Sequence, residues 1–322
     1  MSASLALLLD GALLALALAL ALWCIGAADT LRATMVFVAF GLVLTLLWVR
    51  LEAVDVALTE AAVGSGVTGL LLMRAAARLP APGSSSAPIS SNPSRPGRAL
   101  RLAAAAVALL IAGALAAAVL SLPVPAPTLA PDAARYLPLT QLGNPVTGVL
   151  LVYRALDTLL ETVVLLLVLV GVWSLAPDRF WGGAPAPLWR TPPVGPLVFL
   201  ARVLPPFGLL MGLHLFWTGA DHPGGAFQGG ALLAAMWLLV LLAGLGREPV
   251  SRAWPVRLLV VAGPGLFIAA GFLGSVLGGG FLSYPPGWEK PVIIAIEAAL
   301  TFSIAVTLGL LVLGPPQRAP AT

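Results

Sequence analysis

The sequence predicts an all-α, polytopic transmembrane protein of about nine helices, with its N-terminus outside and its C-terminus inside. Three observations predict it. Hydrophobic residues make up 60% of the 322 residues and charged residues 9%, against about 25% charged in a soluble domain. So little charge cannot cover a water-soluble globule of this length. Nine apolar runs approach the ~20 residues that cross a hydrocarbon core. With the N-terminus outside and nine alternating spans, thirteen of the 17 basic residues fall on the cytoplasmic side, as the positive-inside rule requires. The basic residues form no single face, so the net charge of +4 predicts a lipid bilayer and not a nucleic acid as partner.

The runs are justified in order. Leu5–Ile25 lacks a basic start and exceeds the ~7–15 apolar residues of a secretion signal, so it is a retained helix. Asp10, near its outer end, reads as interfacial. Cys24 is the one cysteine, which excludes a disulfide framework and a cysteine metal site. Ala33–Val49 and Val54–Met73 follow. Pro80–Arg98, rich in Pro and Ser, reads as a disordered linker. Leu100–Leu122 is the fourth run and Pro123–Pro145 an extramembrane loop. Asn144-Pro145 supplies an N-cap and a first-turn proline for the fifth run, Val149–Ala176. A Pro/Gly/Trp segment, Pro177–Gly195, leads to Leu197–Thr218, where Pro205-Pro206 predicts a kink or break. His214 and His222, without a cysteine cluster, predict no metal site. The run Asp221-His222-Pro223-Gly224-Gly225-Ala226-Phe227-Gln228-Gly229-Gly230 predicts a tight turn at the outer surface; it lacks the strand and the Lys-Ser/Thr of a phosphate loop. Phe227–Gly244, Val256–Leu277 (bent at Gly263-Pro264-Gly265) and Pro291–Leu313 complete the set.

A charge at mid-membrane costs ~2.5–3.5 kcal/mol on insertion scales, so acids within spans mark buried partners or ion paths. Asp55 begins the third span, where a helix dipole favours it. Glu60 lies deeper and ~140° around the helix from Asp55, with a stripe of Ala61, Ser65 and Gly69 suited to close packing. Arg154, Asp157 and Glu161 share one stripe of the fifth span; they form either a self-neutralising network or a proton or cation relay. Glu297 lies about two turns into the last span with Thr301 on its face, and no charged residue of its own helix reaches it.

The segment 202–230, above all His222 to Gly230, resembles the MnhB-like component of Mrp-type multisubunit sodium/proton antiporters, in which a Pro-Gly-Gly-Gly-Phe-x-Gly-Gly turn links two helices. Ala226 stands where the third glycine is usual, and the Glu297 helix is similar to that family's last helix. Val54-Asp55-Val56-Ala57-Leu58-Thr59-Glu60-Ala61-Ala62-Val63-Gly64 resembles the hydrogenase D-like domain that also ends the large antiporter subunit; Val54 replaces a usual proline. Asn144–Gly171, with Tyr153-Arg154-Ala155-Leu156-Asp157-Thr158 and Glu161, resembles the neighbouring hydrogenase E-like element. The resemblance implies a fusion: a three-helix D-like domain over 1–79, the linker over 80–98, a two-helix E-like region over 99–178 and a four-helix B-like domain over 195–314.

By that resemblance the chain is a membrane subunit of a Mrp-type antiporter exchanging Na⁺ for H⁺, partnered by other subunits of such a complex. Asp55, Glu60, Arg154, Asp157, Glu161 and Glu297 are then candidates for an ion path at a subunit interface, and Pro223, Gly224, Gly225, Gly229 and Gly230 form the structural turn. Two alternatives stay open. The same module can serve a complex I-related hydrogenase, NADH dehydrogenase or inorganic-carbon uptake machine, or it can be a non-transporting assembly scaffold. No cofactor is expected. Without a metal-ligand cluster, a nucleophile–base pair or a large outer loop, the chain is not expected to be an enzyme.

Overall fold

The computed structural model describes residues 3–79, 97–125, 127–188 and 195–319. Most of the predicted linker therefore lies outside the described residues. Among them, nine long apolar helices stand where the sequence places its nine runs: α1 (Ala3–Gly26), α2 (Thr30–Arg50), α3 (Val54–Ala76), α4 (Arg98–Leu120), α5 (Ala155–Ser174), α6 (Gly195–Thr218), α7 (Ala226–Leu242), α8 (Trp254–Leu277) and α9 (Glu289–Leu313). Eight have the length and apolarity of a membrane span. α7 is shorter, at 17 residues.

The chain forms two compact units. The smaller, residues 78–135, contains α4, none of whose residues is buried, and most of a short helix, Ala130–Tyr136. That helix and a 3₁₀ turn at Leu137–Thr140 occupy the region read as a loop.

The larger unit holds the other eight long helices. α9 is its centre, packed against α5, α6, α7 and α8. Ile293, Ile296, Leu300 and Ile304 of α9 are at most 1% exposed. Lipid tails are as apolar as these side chains, so their burial stabilises through close packing and not through water exclusion. α1 packs on α2, and α2 on α3. Along the small-residue stripe, a Cβ on Gly69 would meet Val38 of α2, and Ser65 Oγ lies where a Cβ on Gly41 would sit. The stripe thus brings the two backbones close.

Three corrections to the sequence reading concern backbone geometry. α3 is not one α-helix: Val54–Thr59 and Thr68–Ala76 flank a π-helical segment, Glu60–Val67. The fifth span likewise begins with a single turn, Pro145–Gly148, and a π segment, Val149–Tyr153, before Arg154 (φ −129°, ψ 36°) starts α5 afresh. Third, α6 runs unbroken through Pro205 and Pro206, as α8 does through Pro264. α6 packs along α7 and, less extensively, α9.

The ends of the larger unit sort by alternation. At one end Asn144, Asp55, Gly219, His222 and Gly224 meet through hydrogen bonds, and Asp10 pairs with Arg50 across α1 and α2. At the other, Arg74 donates to the Val312 carbonyl. There a two-stranded sheet joins β1 (Ala184–Pro185) to β2 (Pro316–Arg318) in antiparallel register.

Candidate functional site: an acidic cavity beneath a glycine turn

The site is built on one amide. Asn144 caps the Pro145 turn by accepting from Val146 N at 2.9 Å, which leaves its NH₂ group free to reach other segments. Nδ2 donates to the Gly219 carbonyl at 3.1 Å, the His222 carbonyl at 3.0 Å and Asp55 Oδ1 at 3.3 Å. Thr147 Oγ1 also donates to the Gly219 carbonyl, at 2.6 Å. Asp55 Oδ1 in turn accepts from Gly224 N at 3.0 Å. The start of α3, the cap of the fifth span and the loop before α7 are thereby tied together.

The predicted glycine turn follows from sterics. Gly225 N donates to the Leu215 carbonyl at 2.9 Å, folding the loop back onto α6, and Gly225 has φ 130°, a conformation glycine alone adopts without strain. A Cβ on Gly224 would overlap the Leu215 carbonyl. Gly229 and Gly230 serve helix approach instead. A Cβ on Gly229 would lie 2.7 Å from the Gly212 carbonyl of α6, and one on Gly230 2.9 Å from the Thr301 carbonyl of α9. Ala226, in the place of the family's third glycine, is buried as the first residue of α7.

Beneath this turn lies a cavity of about 470 Å³. Asp55, Glu161 and Glu297 line it together with Gly224, Gly225, Thr59, Thr147, Thr158 and Gln228, and apolar side chains make up the rest. No lysine, arginine or histidine among the described residues lines it. Gln228 Nε2 donates to Thr59 Oγ1 at 2.9 Å, bridging α7 and α3 across one wall. Glu297 is 4% exposed, and its Oε2 has no hydrogen-bond partner among the described residues. Eight residues into α9, it lies ~12 Å below the helix start. Glu161 is exposed while lining the cavity, so it stands at the open side. That side runs between α3 and the fifth span, where Val56, Thr59, Val146 and Leu150 are also exposed.

The remaining sequence candidates lie outside the cavity. Arg154 and Asp157 pair with each other at 2.5 Å, both largely exposed, so the predicted three-residue stripe divides into an ion pair and a separate acid. Glu60 opens the π segment, and its carboxylate lies against Gly64 of its own turn, on the side facing Gly41 of α2. Sequence reasoning placed Asn144 only as a helix cap and Gln228 only within a turn motif. The partners that make them part of the site are 75 or more residues away in the chain.

Outside the spans, the loop before α7 carries one more ion pair. Lys290 Nζ donates to both carboxylate oxygens of Asp221, at 2.7 and 2.8 Å. This contact holds the Asp221 carboxyl below its ordinary pKa. Burial pushes the Tyr284 phenol up, and its hydroxyl donates to the Leu151 carbonyl at 2.7 Å.

The chain is similar to known proteins in sequence and in fold. Residues 196–315 match a family model described as a domain related to the MnhB subunit of Na⁺/H⁺ antiporter, and residues 15–81 match MbhD, the D-type subunit of MBH. The B-type Na⁺/H⁺ antiporter subunit of Bacillus subtilis (strain 168) is 33% identical over 109 residues, covering 33% of this chain and 76% of the relative. Its counterpart from Alkalihalophilus pseudofirmus is 32% identical over 114 residues, covering 34% and 78%. In fold, the structure of the Mrp complex from Dietzia sp. DQ12-45-1b contains a similar chain, with a TM-score of 0.73 at 24% identity. The match covers 96% of this chain and 35% of that one. A chain of the membrane-bound sulfane sulfur reductase, an archaeal respiratory membrane complex, gives a TM-score of 0.54 at 24% identity, covering 66% and 98%. At these identities the two structures show the fold. This protein spans about a third of the Mrp-complex chain it matches.

Proposed function

The chain belongs to the MnhB family of Na⁺/H⁺ antiporter subunits, and from that premise we propose that it works as a membrane subunit of a Mrp-type antiporter whose acidic cavity forms part of the path for H⁺ or Na⁺. The observation that carries this is the convergence of Asp55, Glu161 and Glu297 from three separate helices on one cavity without a basic side chain. A carboxylate at membrane depth is expensive, and no basic group lines this cavity to offset the cost. Proton or cation exchange at these carboxylates uses what an ion pair would consume.

The division into a D-like domain (1–79), an E-like region (99–178) and a B-like domain (195–314) fits this reading, since the cavity draws one acid from each. The N-out, C-in orientation fits as well, because the Asn144 end of the larger unit then faces outward. Arg154 and Asp157 are proposed to act outside the cavity, at contacts with neighbouring subunits, and Glu60 at the seam between α2 and α3.

The test is antiport in membrane vesicles carrying the assembled complex. Glu297→Gln and Glu161→Gln are each expected to lower Na⁺-dependent proton exchange at least tenfold with the complex recovered in normal yield. Full exchange in both variants would remove the cavity from the path. A second reading, coupling to a redox-driven machine, is favoured by the match of residues 15–81 to MbhD. Co-purification from the native membrane separates the two, through recovery of large antiporter subunits or of hydrogenase or dehydrogenase subunits.

A further inference from the structure

The cavity is far larger than an ion path needs. A bare sodium ion fills a small part of about 470 Å³, whereas pockets of ~300–1,000 Å³ hold drug-sized molecules. Its lining combines apolar walls (Val63, Leu151, Phe227, Leu300) with three carboxylates and no basic side chain. Glu161 is exposed at the mouth, without a hydrogen-bond or ion-pair partner among the described residues. Glu297 Oε2 is buried at the inner wall, also unpartnered. The mouth lies between α3 and the fifth span, both helices of membrane-spanning length and apolarity.

We infer that the cavity is a binding site for lipophilic ammonium ions, entering from the bilayer between α3 and the fifth span and held by Glu161 and Glu297. Apolar substituents fill the walls, and Phe227 among the lining residues is of the aromatic type that binds quaternary ammonium. A neutral molecule of the same shape gains the walls but loses the carboxylates. An anion is excluded. Resting on the ion-path reading, occupancy also blocks antiport.

The experiment uses the complex isolated with its native partner subunits in lipid nanodiscs. The probe is tritiated benzyltributylammonium, compared with a neutral isostere carrying carbon in place of the nitrogen. Saturable binding of the cation is expected, at least tenfold tighter than the isostere. Glu161→Gln and Glu297→Gln are each expected to weaken it at least tenfold, and Asp10→Asn, at the α1–α2 ion pair outside the cavity, to leave it unchanged. Equal binding of cation and isostere, no saturable binding to the wild-type complex, or full binding to both cavity variants overturns the inference. Antiport is measured on the same preparations. Variants that lose binding yet exchange ions normally leave the site standing and sink the ion-path reading. Variants that lose exchange yet bind normally do the reverse.

Discussion

Asn144 shows how much one side chain can organise. Its amide is 3% exposed and serves two backbone carbonyls and the Asp55 carboxylate at once. Asn144→Ala removes donors from buried acceptors, a loss of ~1–3 kcal/mol. We expect a lower thermal midpoint of the purified complex and weakened docking of the loop before α7. Asn144→Asp is expected to be worse, because it sets a second carboxylate against Asp55; a midpoint for Asp at or above that for Ala would contradict this account. Asp221 gives a prediction in pH. Its folded pKa is held below the ordinary value by Lys290, so the pair stabilises above pH ~4, where Asp221 is ionised in folded and unfolded chains alike. That stability is lost as pH falls through the folded pKa. Both side chains are partly exposed, so the contribution is under ~1 kcal/mol. Thermal midpoints of wild type and Lys290→Met are expected to differ slightly at pH 7 and to converge below pH ~4.

At the scale of elements, apolar run length was enough to read the helices, because a membrane span must satisfy its own backbone and fill ~30 Å of hydrocarbon. All nine runs became helices with ends shifted by a few residues. The irregularities inside them were not legible. A π segment keeps the apolar composition of the helix it interrupts, so nothing in Val149–Tyr153 announces it; Pro205-Pro206 suggested a kink or a break, and the helix is not broken there. Of the candidate site, the acids and the glycine turn were legible one by one, each an anomaly in an apolar chain. Which acids share a cavity was not, since that depends on contacts between distant segments: Asp55 and Glu297 converge while Glu60, five residues from Asp55, faces elsewhere. The π segment of the fifth span carries a prediction of its own. Thr158 Oγ1 donates to the Leu150 carbonyl at 2.6 Å, satisfying an acceptor where the regular ladder is interrupted. Thr158→Val removes that donor and is expected to cost ~1–3 kcal/mol in complex stability, while Thr158→Ser keeps the hydroxyl and stays near wild type. Equal losses in the two would assign the effect to packing instead.

For the larger unit as a whole, ion pairs stand at both ends, and at the end away from the cavity they centre on Arg318. Arg318, in β2, donates to the Pro185 carbonyl through Nε at 3.0 Å and Nη2 at 2.7 Å, and Nη2 also reaches Glu248 Oε2 at 2.8 Å. The Glu248 side chain is only 8% exposed, whereas that of Arg318 is 47% exposed. Ser251 Oγ donates to the Gly183 carbonyl nearby, at 3.0 Å. The segment after α9 is thus fastened to the loops that follow α5 and α7, and the central helix cannot shift along its axis without breaking this clasp. Glu248 is the buried member of the pair, so removing Arg318 leaves a buried charge unpaired, which costs more than the pair contributes. Arg318→Ala is therefore expected to lower the thermal midpoint of the complex clearly, and Glu248→Gln to lower it less. The double variant should recover most of the loss from Arg318→Ala, since the stranded charge is gone; a strictly additive cycle would mean that the two groups do not interact. Antiport read on the same variants separates fastening from transport. If the clasp only holds the central helix, exchange per assembled complex stays normal at low temperature in all three variants and fails only where the complex unfolds.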